Sequence, residues 1–435
     1  MTDSKESLTF SLSSSQSHFY QVSITVSPHL VAVAYQQAVQ ALQVKIEASG
    51  FGKGAVPREY VEHNYHSHLK EHVKKFLFHF LVVSFLFKKL REQKVIFIGD
   101  PRLKNITIDL AQSAVFEFEC TKPDTQQTSL LSWKHLPFKA PGRKHYRDID
   151  RQVETFIQEE QELRNSMGNP LKVAIGDLVC FTIWVVDEQH TALFDDYKET
   201  LWLKIGNEEG DIPFQQLFLE KCLGEIFYTT NHTLSEYFSD HERYALFAIQ
   251  ICAILPVKFF CIESLKEHFT LKSAKDVRRK LIEIFSFRND ISQRRLMAEG
   301  ALTMLLKHHP FNVPHHAILR KQQSIMETLS MNPDYPVYKM ERDFTYKVEQ
   351  LALRQLRESI MVDRIAYDEN IGVTPEDIQH YLNLTKRQRT KEFIYFTAPP
   401  SKLNGQEIPV PAELLKHYIR REKTLNYVIN HLTKN

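Results

Sequence analysis

The chain has 435 residues, of which 43% are hydrophobic and 25% are charged, and its formal net charge at pH 7 is +2. This composition supports a sizeable folded core and excludes a chain that is disordered throughout. A charge so close to balance gives no reason to expect a nucleic-acid coat protein. At a usual domain size of about 100 to 200 residues, the length predicts two to four domains.

The cysteines and the N-terminus indicate a soluble protein of the cytoplasm. The five cysteines show neither a CxxC pair nor zinc-ligand spacing, and an odd number cannot pair completely within one chain. The N-terminal stretch MTDSKESLTFSLSSSQ lacks the apolar core of a signal peptide. The most apolar run, FLFHFLVVSFLF at 76–87, is too short for a bilayer, which takes about 20 residues. We therefore expect reduced thiols, no membrane contact and, for that run, a buried helix.

Residues 1–120 are predicted to form an α/β domain. FYQVSITV at 19–26 alternates like a strand, and residues 28–48 contain no helix breaker after Pro28. A glycine-rich loop, EASGFGKGAVPREY at 47–60, separates this helix from a helical stretch over 58–93. Strand-like KVIFIGD and alternating AVFEFEC then close the unit. The loop is therefore expected at a tip between two helices.

Residues 121–165 are predicted to connect this unit to a smaller, mostly β domain over 166–256. The connecting segment holds three prolines and shows no clean period before one short helix. In the following region KVAIGDLVCFTIWVV, ETLWLKIG and YALFAIQICAIL are strand candidates separated by acidic loops.

After Pro256 the pattern changes to long helices, which predicts an all-α domain over 257–435. Apolar residues at 348, 352, 356 and 360 share one helix face, and Gly372 is expected to end that helix. TPED at 374–377 offers a capping box with proline at the first helical position, and residues 398–411 read as a loop before a final helix. The predicted fold class is α+β with an α/β, a mostly β and an all-α domain.

Motifs for nucleotide or metal chemistry are absent from the sequence. GFGKG lacks the GxxxxGK[ST] spacing of a phosphate loop and lies between helices instead of after a strand. The four histidines between 308 and 316 are separated by prolines, so an exposed turn explains them better than a metal site. The basic run at 386–391 is most simply the solvated face of a helix. We expect no cofactor and no metal.

The order of the motifs resembles the bacterial trigger factor family of ribosome-associated chaperones. The resemblance rests on GFGKGAVP at the predicted tip, on LLKHHPFNVPHHAI and on IAYDENIGVTPEDIQHYL, and it spans nearly the whole chain. It implies an ATP-independent chaperone that binds protein and rRNA at the ribosomal tunnel exit and holds nascent unfolded polypeptides in a folding-competent state for folding and export. It also implies a loose homodimer away from the ribosome.

The glycine-rich loop matches the family's ribosome-docking signature, G-F-R-x-G-K-x-P, in part. Gly52 and Ala55 stand where the family has an arginine and a lysine. An exposed aromatic ring would bury apolar area on a ribosomal protein, and cations would face rRNA phosphates, so two missing charges imply weaker and less salt-sensitive docking. A plain interhelical turn is the alternative. The resemblance assigns ribosome binding to Phe51, Gly52, Lys53, Gly54 and Pro57.

The middle domain resembles an FKBP-type peptidyl-prolyl cis-trans isomerase. Such an enzyme needs no nucleophile, because an apolar aromatic pocket that desolvates the prolyl amide lowers a rotation barrier of about 18–20 kcal/mol. The resemblance assigns the pocket to Phe194, Asp195, Ile212, Phe214, Tyr237 and Phe247. Ile183 and Leu201 replace expected aromatic residues, so the alternative of an ordinary β-domain core without catalysis stays open.

Most of the eight methionines lie after residue 290. Flexible thioethers suit contact with varied apolar clients, and they equally suit the filling of helical cores. Two rival functions remain beside the chaperone: a dedicated prolyl isomerase whose helices act as a scaffold, and a helical interaction protein without ribosome contact.

Overall fold

A computed structural model describes residues 7–14, 18–110, 112–123, 133–142, 148–167, 172–194, 197–239, 246–256, 262–288, 291–385, 390–396 and 399–433. It has a multidomain α+β architecture, as the sequence predicts. Among the helices in these ranges, none combines the length and the apolar character that a membrane crossing requires.

A four-stranded antiparallel sheet and a set of helices form the first part of the chain. The elements are β1 (Leu8–Ser14), β2 (Phe19–Val26), α1 (Pro28–Lys45), α2 (Arg58–Asn64), α3 (His66–Leu77), a π-helical turn (Phe78–Val82), α4 (Val83–Glu92), β3 (Ile98–Ile108) and β4 (Ala114–Thr121). The strand order is β1-β2-β4-β3. The two strands with clean alternation in the sequence, β2 and β4, pair along their whole length at the centre of this sheet.

The boundaries differ from the sequence prediction at three places. α1 ends at Lys45 instead of residue 48. The strand predicted at 94–100 begins only at Ile98 and continues to Ile108, and its first residues are irregular: Gly99 has a positive φ of 68°, and the pairing with β4 shifts register between Ile98 and Arg102. β1, which the sequence analysis did not identify, pairs with β2 from Leu8 to Ser14. The apolar run at 76–87 is helical, and most of its side chains are buried, as expected.

A second antiparallel sheet occupies the middle of the chain. The elements of this part of the chain are α5 (Ile149–Met167), β5 (Leu178–Val186), β6 (Glu199–Lys204), α6 (Ile212–Phe218), β7 (Ile226–Thr229), α7 (His232–Ser239) and β8 (Leu246–Leu255). β5 starts later than its apolar pattern suggests, because the Asp177 carboxylate accepts a hydrogen bond from the Ala174 amide and holds a turn there. The short helices α6 and α7 were not predicted.

The last part of the chain is mainly helical, as expected. Its elements are α8 (Ile262–Phe269), α9 (Ala274–Phe285), β9 (Phe287–Arg288), β10 (Ile291–Ser292), α10 (Gln293–His308), α11 (His315–Ser330), α12 (Tyr335–Lys339), α13 (Phe344–Asp368), α14 (Pro375–Thr385), α15 (Thr390–Phe393), β11 (Lys402–Leu403), β12 (Gln406–Glu407), β13 (Val410–Pro411) and α16 (Ala412–Leu432). The predicted apolar face of α13 is buried at all four positions.

Three local features of this region follow from short-range backbone and side-chain chemistry. Thr374 and Asp377 exchange side chain to backbone hydrogen bonds of 2.8 and 3.3 Å, which confirms the capping box of α14. The predicted loop at 398–411 is wrong in part, because Asn404 and Gly405 both adopt positive φ and turn β11 into β12. α13 ends at Asp368, before Gly372, since Asn370 takes the left-handed conformation that closes the helix.

The middle sheet has both faces covered. β13 pairs with β6, so the complete strand order is β13-β6-β5-β8-β7. One face, which includes Phe181 and Ile183, shares a continuous hydrophobic core with the first sheet and helices α1, α3 and α4. The opposite face, which includes Cys180 and Trp202, packs in a second core with helices α8, α9, α14 and α16. The middle sheet therefore lies between the two helical regions.

Candidate functional sites

The glycine-rich loop between α1 and α2 presents an exposed aromatic ring. Phe51 is 41% exposed, and its ring centroid lies 6.4 Å from that of Tyr60 on α2. The Phe51 amide donates a hydrogen bond of 2.8 Å to the Ala48 carbonyl oxygen, and the Ala55 amide donates one of 3.0 Å to that of Gly52. Two consecutive turns thus hold the ring in the loop beside Tyr60, where it remains partly exposed.

The base of this loop is fixed to α1. Val56 is fully buried, and the Gln43 side-chain amide donates a 2.7 Å hydrogen bond to its carbonyl oxygen. Gly50 and Gly54 have φ values of +89° and +78°, which favour glycine. Gly52 has no such φ, and a Cβ atom at this position would meet no other atom within 4 Å, so the position accepts other residues. Pro57 directly precedes α2.

The loop carries little uncompensated charge. Lys53 is exposed and makes no ion pair with any described residue. Arg58, the next cation along the chain, holds Glu62 at 2.8 Å, and Glu59 lies beside it in the first turn of α2. Arg58 is therefore compensated on its own helix, and it does not replace the two cations that the family signature has and this chain lacks.

Two of the six candidate isomerase residues line a small cavity between the first and middle parts of the chain. Phe194 and Phe247 meet Phe76 of α3 and Ala38 of α1 around a space of about 20 Å³. A space of this size holds about one water molecule. Phe194 and Phe247 are 2% and 0% exposed.

Aromatic rings from the first part of the chain fill the remainder of this region. The ring centroid of Phe76 lies 5.8 Å from that of Phe194 and 6.4 Å from that of Phe238 on α7. Phe80, in the π-helical turn, lies 6.0 Å from Phe194 and 5.1 Å from Phe238. Phe238 in turn lies 5.8 Å from Phe247. These five rings form one aromatic cluster across the boundary between the two regions.

The other candidate pocket residues do not line this cavity. Phe214 is buried on α6, and Tyr237 on α7 packs edge-on against Phe238 at 4.9 Å. Burial, with a smaller contribution from Glu199, raises the pKa of Tyr237. Ile212, the first residue of α6, is 44% exposed. Asp195 lies outside the described residues.

A buried carboxylate accompanies the aromatic cluster, and the sequence analysis missed it. Ser84 of α4 donates a 2.5 Å hydrogen bond to Oε1 of Glu199, and the Tyr197 hydroxyl donates one of 2.8 Å to Oε2. Burial raises the pKa of Glu199 to about 7, although both hydrogen bonds oppose this shift. The sequence does contain one signal that could have pointed to this buried contact: Ser84 is a polar residue within the most apolar run of the chain.

Apolar side chains are exposed where α11 turns into α13. Met331 and Met340 are 84% and 88% exposed, and Val337 and Tyr346 are 66% and 63% exposed. We call these four residues the apolar tip. Met297 and Met361 lie in a hydrophobic core instead, so the methionines of this region divide between the two roles that the sequence left open.

The histidines between 308 and 316 have separate environments. Nδ1 of His308 lies 2.9 Å from the Met304 carbonyl oxygen, and Nε2 of His316 lies 3.3 Å from the Thr121 hydroxyl. His309 is only 5% exposed, so the prediction of an exposed turn is wrong for this residue. In the described part of the chain, no group of three or more metal-binding side chains could hold a metal ion. The basic run at 386–391 falls largely outside the described residues.

A cavity of about 310 Å³ lies between β3 and the helices α10, α11, α13 and α16. Its wall combines aromatic and ion-paired side chains. Arg354 holds Glu358 at 2.7 Å, and Arg421 holds Asp363 at 2.7 Å behind the wall. Burial alone would raise the pKa of Asp363. Arg421 and the other nearby cations outweigh this effect and hold that pKa at about 2. These charges are therefore largely compensated within the chain.

Comparisons with known proteins agree with the motifs. A family model described as "Bacterial trigger factor protein (TF)" matches residues 9–154, and one described as "Bacterial trigger factor protein (TF) C-terminus" matches residues 270–396. Together they cover well over half of the chain.

Relatives of similar length carry the same name. Trigger factor of Trichormus variabilis is 22% identical over 82% of this chain and 80% of its own, and that of Chlamydia pneumoniae is 20% identical over 97% and 98%. A solved structure of the trigger factor chaperone aligns over 98% of this chain and 100% of its own at 14% identity, with a TM-score of 0.34. The two family models, the relatives and the motifs lead to one conclusion: this chain belongs to the trigger factor family of chaperones.

Proposed function

We propose that this protein docks at the ribosomal tunnel exit through the loop around Phe51 and holds nascent unfolded polypeptides. The observation that carries the proposal is the 41% exposed ring of Phe51, held on a loop whose base Gln43 and Val56 fix. Single exposed apolar side chains are common on protein surfaces, and a partner surface that covers this ring would remove its apolar area from water. Lys53 beside it would face an rRNA phosphate.

The apolar tip supplies a surface for clients. Its four side chains stand in solvent at the far end of the α11–α13 pair, which packs tightly at the other end through Ala317 and Ala352. Methionine side chains adapt to apolar segments of different shape, so such a surface suits unfolded chains without a fixed sequence. We assign client binding to this tip. We also propose four functional segments: a ribosome-binding domain at 1–120, a connecting segment at 121–165, an isomerase domain at 166–256 and a helical chaperone domain at 257–435.

The family carries a prolyl isomerase domain, and we propose a weak isomerase activity for the middle region of this chain. Support comes from Phe194 and Phe247, which supply the aromatic walls that such a pocket needs. The activity is expected to be weak because Ile212 lies in solvent and does not form the pocket floor that the family pattern assigns to it.

Cosedimentation with ribosomes tests the docking. The double variant Phe51→Ala, Lys53→Ala should lose most of its binding, because it removes both the apolar ring and the cation beside it. The matched control is Tyr346→Ala with Lys339→Ala, which deletes an exposed aromatic ring and an exposed lysine outside the loop and should bind vacant ribosomes like the unchanged protein.

The rival functions make the opposite prediction. A dedicated isomerase or a helical interaction protein without ribosome contact would be indifferent to both double variants. Unchanged cosedimentation of the Phe51→Ala, Lys53→Ala protein would show that docking through this loop is wrong.

A further inference from the structure

The isomerase pocket that the proposed function assigns to the middle region is occupied by another part of the same chain. A site for a small ligand or peptide side chain usually encloses about 300–1,000 Å³. Here Phe194 and Phe247 enclose only about 20 Å³ with Phe76, which comes from α3. A prolyl residue has no room in this space while Phe76 stays in place.

The contact that fills the pocket is extensive and apolar. Phe76 and Phe80 lie one helical turn apart, stack at 5.1 Å and both reach Phe194 and Phe238. Phe76 is 8% exposed and Phe80 is fully buried. Two phenylalanine side chains that leave water in this way are a strong reason for the two regions to stay together.

The π-helical turn at Phe78–Val82 places Phe80 in this contact. An extra residue in a helical turn rotates the side chains that follow it, and such turns are frequent at functional positions. Beyond the turn, Ser84 of α4 reaches Glu199, and the Tyr197 hydroxyl also lies 3.4 Å from the Leu81 carbonyl oxygen. The same helical stretch therefore inserts two rings and holds the strand β6 beside them.

We propose that Phe76 and Phe80 close the prolyl pocket of this protein, so that the pocket accepts a prolyl peptide only when the α3–α4 stretch moves away from α7, β6 and β8. This inference rests on the isomerase part of the proposed function. The occupant is a segment of the chain itself, and the contact makes the pocket inaccessible in the compact protein.

An introduced thiol can report on the closure in the full chain. Ser235 of α7 lines the cavity and is 3% exposed, so Ser235→Cys places a thiol of similar size inside the contact. Its reaction with a maleimide, followed by peptide mass mapping, is compared with that of the same thiol in the urea-unfolded chain at the same pH. We expect the introduced thiol to react at least about 100-fold more slowly in the folded chain than in the unfolded chain, since a buried group reacts only on local opening.

Two kinds of variant should open the pocket. Phe76→Ala with Phe80→Ala removes the rings, and Ser84→Asp brings a second carboxylate against Glu199 without hollowing the core. Each should speed modification of the introduced thiol about tenfold or more. Phe87→Ala is the matched control: Phe87 is 9% exposed, its ring faces Phe97 and His417 instead, and its removal should leave the thiol protected.

Isomerisation of a Leu-Pro-Phe peptide anilide by the same full-length proteins separates the possible failures. We expect a rate near the uncatalysed background for the unchanged chain and a faster rate for the opened variants. If the introduced thiol is protected and the variants expose it but none catalyses, the closure stands and the isomerase assignment is wrong. If the thiol reacts as fast in the otherwise unchanged folded chain as in the unfolded chain, or the unchanged chain catalyses as fast as the opened variants, the closure is wrong.

Discussion

Ser84 and Glu199 lie 115 positions apart in the sequence, and their side chains meet in a 2.5 Å hydrogen bond at the boundary of the first and middle regions. The carboxylate is almost completely buried, and the charged groups facing it are Glu413 and Lys416 of α16, of which Glu413 raises and Lys416 lowers its pKa. Burial favours the protonated carboxyl, and the two hydroxyl groups, which donate to the carboxylate, offset this preference only in part.

The pKa of Glu199 predicts a pH dependence for the contact between these regions. Its pKa rises from 4.5 to about 7 on burial, so this group's contribution is fully favourable below pH 4.5 and is lost as the pH rises through 7. A shift of this size corresponds to about 3 kcal/mol. Glu199→Gln keeps a neutral side chain at every pH, so it should flatten the fall in thermal midpoint between pH 5 and pH 8.

Glu422 provides the comparison for that experiment. Burial raises its pKa to about 7 as well, and it lies far from Ser84, among the backbone amides of Tyr395 and Phe396. Glu422→Gln should therefore flatten the same midpoint curve without changing the protection of a thiol introduced at Ser235. An equally steep curve for Glu199→Gln and the unchanged chain would contradict the buried, protonated state of Glu199.

The docking loop should respond to charge at Gly52. Gly52→Arg restores the cation of the family signature at a position whose backbone and surroundings accept a side chain. It should strengthen ribosome cosedimentation and steepen its dependence on salt by about 0.7–0.9 logarithmic units for each added phosphate contact.

Two substitutions complete that test. Gly52→Glu keeps the backbone and reverses the charge, so it should weaken binding. Gly54→Arg adds the same cation where φ is +78°, so strain of about 1–3 kcal/mol should offset its benefit. Equal binding by Gly52→Arg and Gly52→Glu would mean that rRNA phosphates do not face this position.

Client binding should depend on the methionines of the apolar tip. Met331→Ser with Met340→Ser removes two thioethers that are more than 80% exposed, so it should cost the fold little and reduce suppression of client aggregation several-fold. Light scattering of an unfolded client at increasing chaperone ratios measures this. Lys339→Ser, at an exposed position between them, is the control and should suppress aggregation normally. Full suppression by the double variant would place client binding elsewhere.

Asp363 should be the most sensitive charged residue of the helical region. It is 3% exposed and accepts hydrogen bonds from both Arg420 and Arg421 at 2.7–3.3 Å. Asp363→Asn leaves the buried guanidinium of Arg420 and the partly buried one of Arg421 without a counter-charge and should destabilise the protein by about 3–5 kcal/mol. Because its pKa is held at about 2, the contribution of Asp363 is present above pH 3.8 and is lost only as the pH falls through 2.

The thermal midpoint at neutral pH measures this loss, with an exposed ion pair as control. Glu341→Gln breaks the pair of Glu341 with Lys347, both more than half exposed, and should change stability by less than about 1 kcal/mol. Similar midpoints for the two variants would show that the Asp363 pair is not a net stabilising contact.

The sequence predicted those parts of the fold whose cause is local. Alternation identified β2 and β4, a four-residue period identified the buried face of α13, and the Thr374–Asp377 box identified the start of α14. The hairpin at Asn404 and Gly405 was predictable from the same kind of signal and was missed.

The partner of a buried side chain was not predictable in this way. An apolar run shows that Phe76 and Phe80 leave water, but nothing in its period shows whether they pack on their own sheet or on Phe194. For the same reason, the resemblance to FKBP-type isomerases identified Phe194 and Phe247 as candidate pocket residues. It could not show that Phe76 of another helix fills the space between them.

The pairing of β13 with β6 also limits how early the middle sheet can be completed during synthesis of the protein. β6 ends at Lys204, and its outer edge stays without a partner until Val410 and Pro411 have been translated, about 200 residues later. At about 5–20 residues per second this interval lasts roughly 10–40 s. Throughout it, the growing chain carries an open strand edge of the kind that promotes aggregation. A member of a chaperone family is thus, during its own synthesis, a chain that needs the same protection.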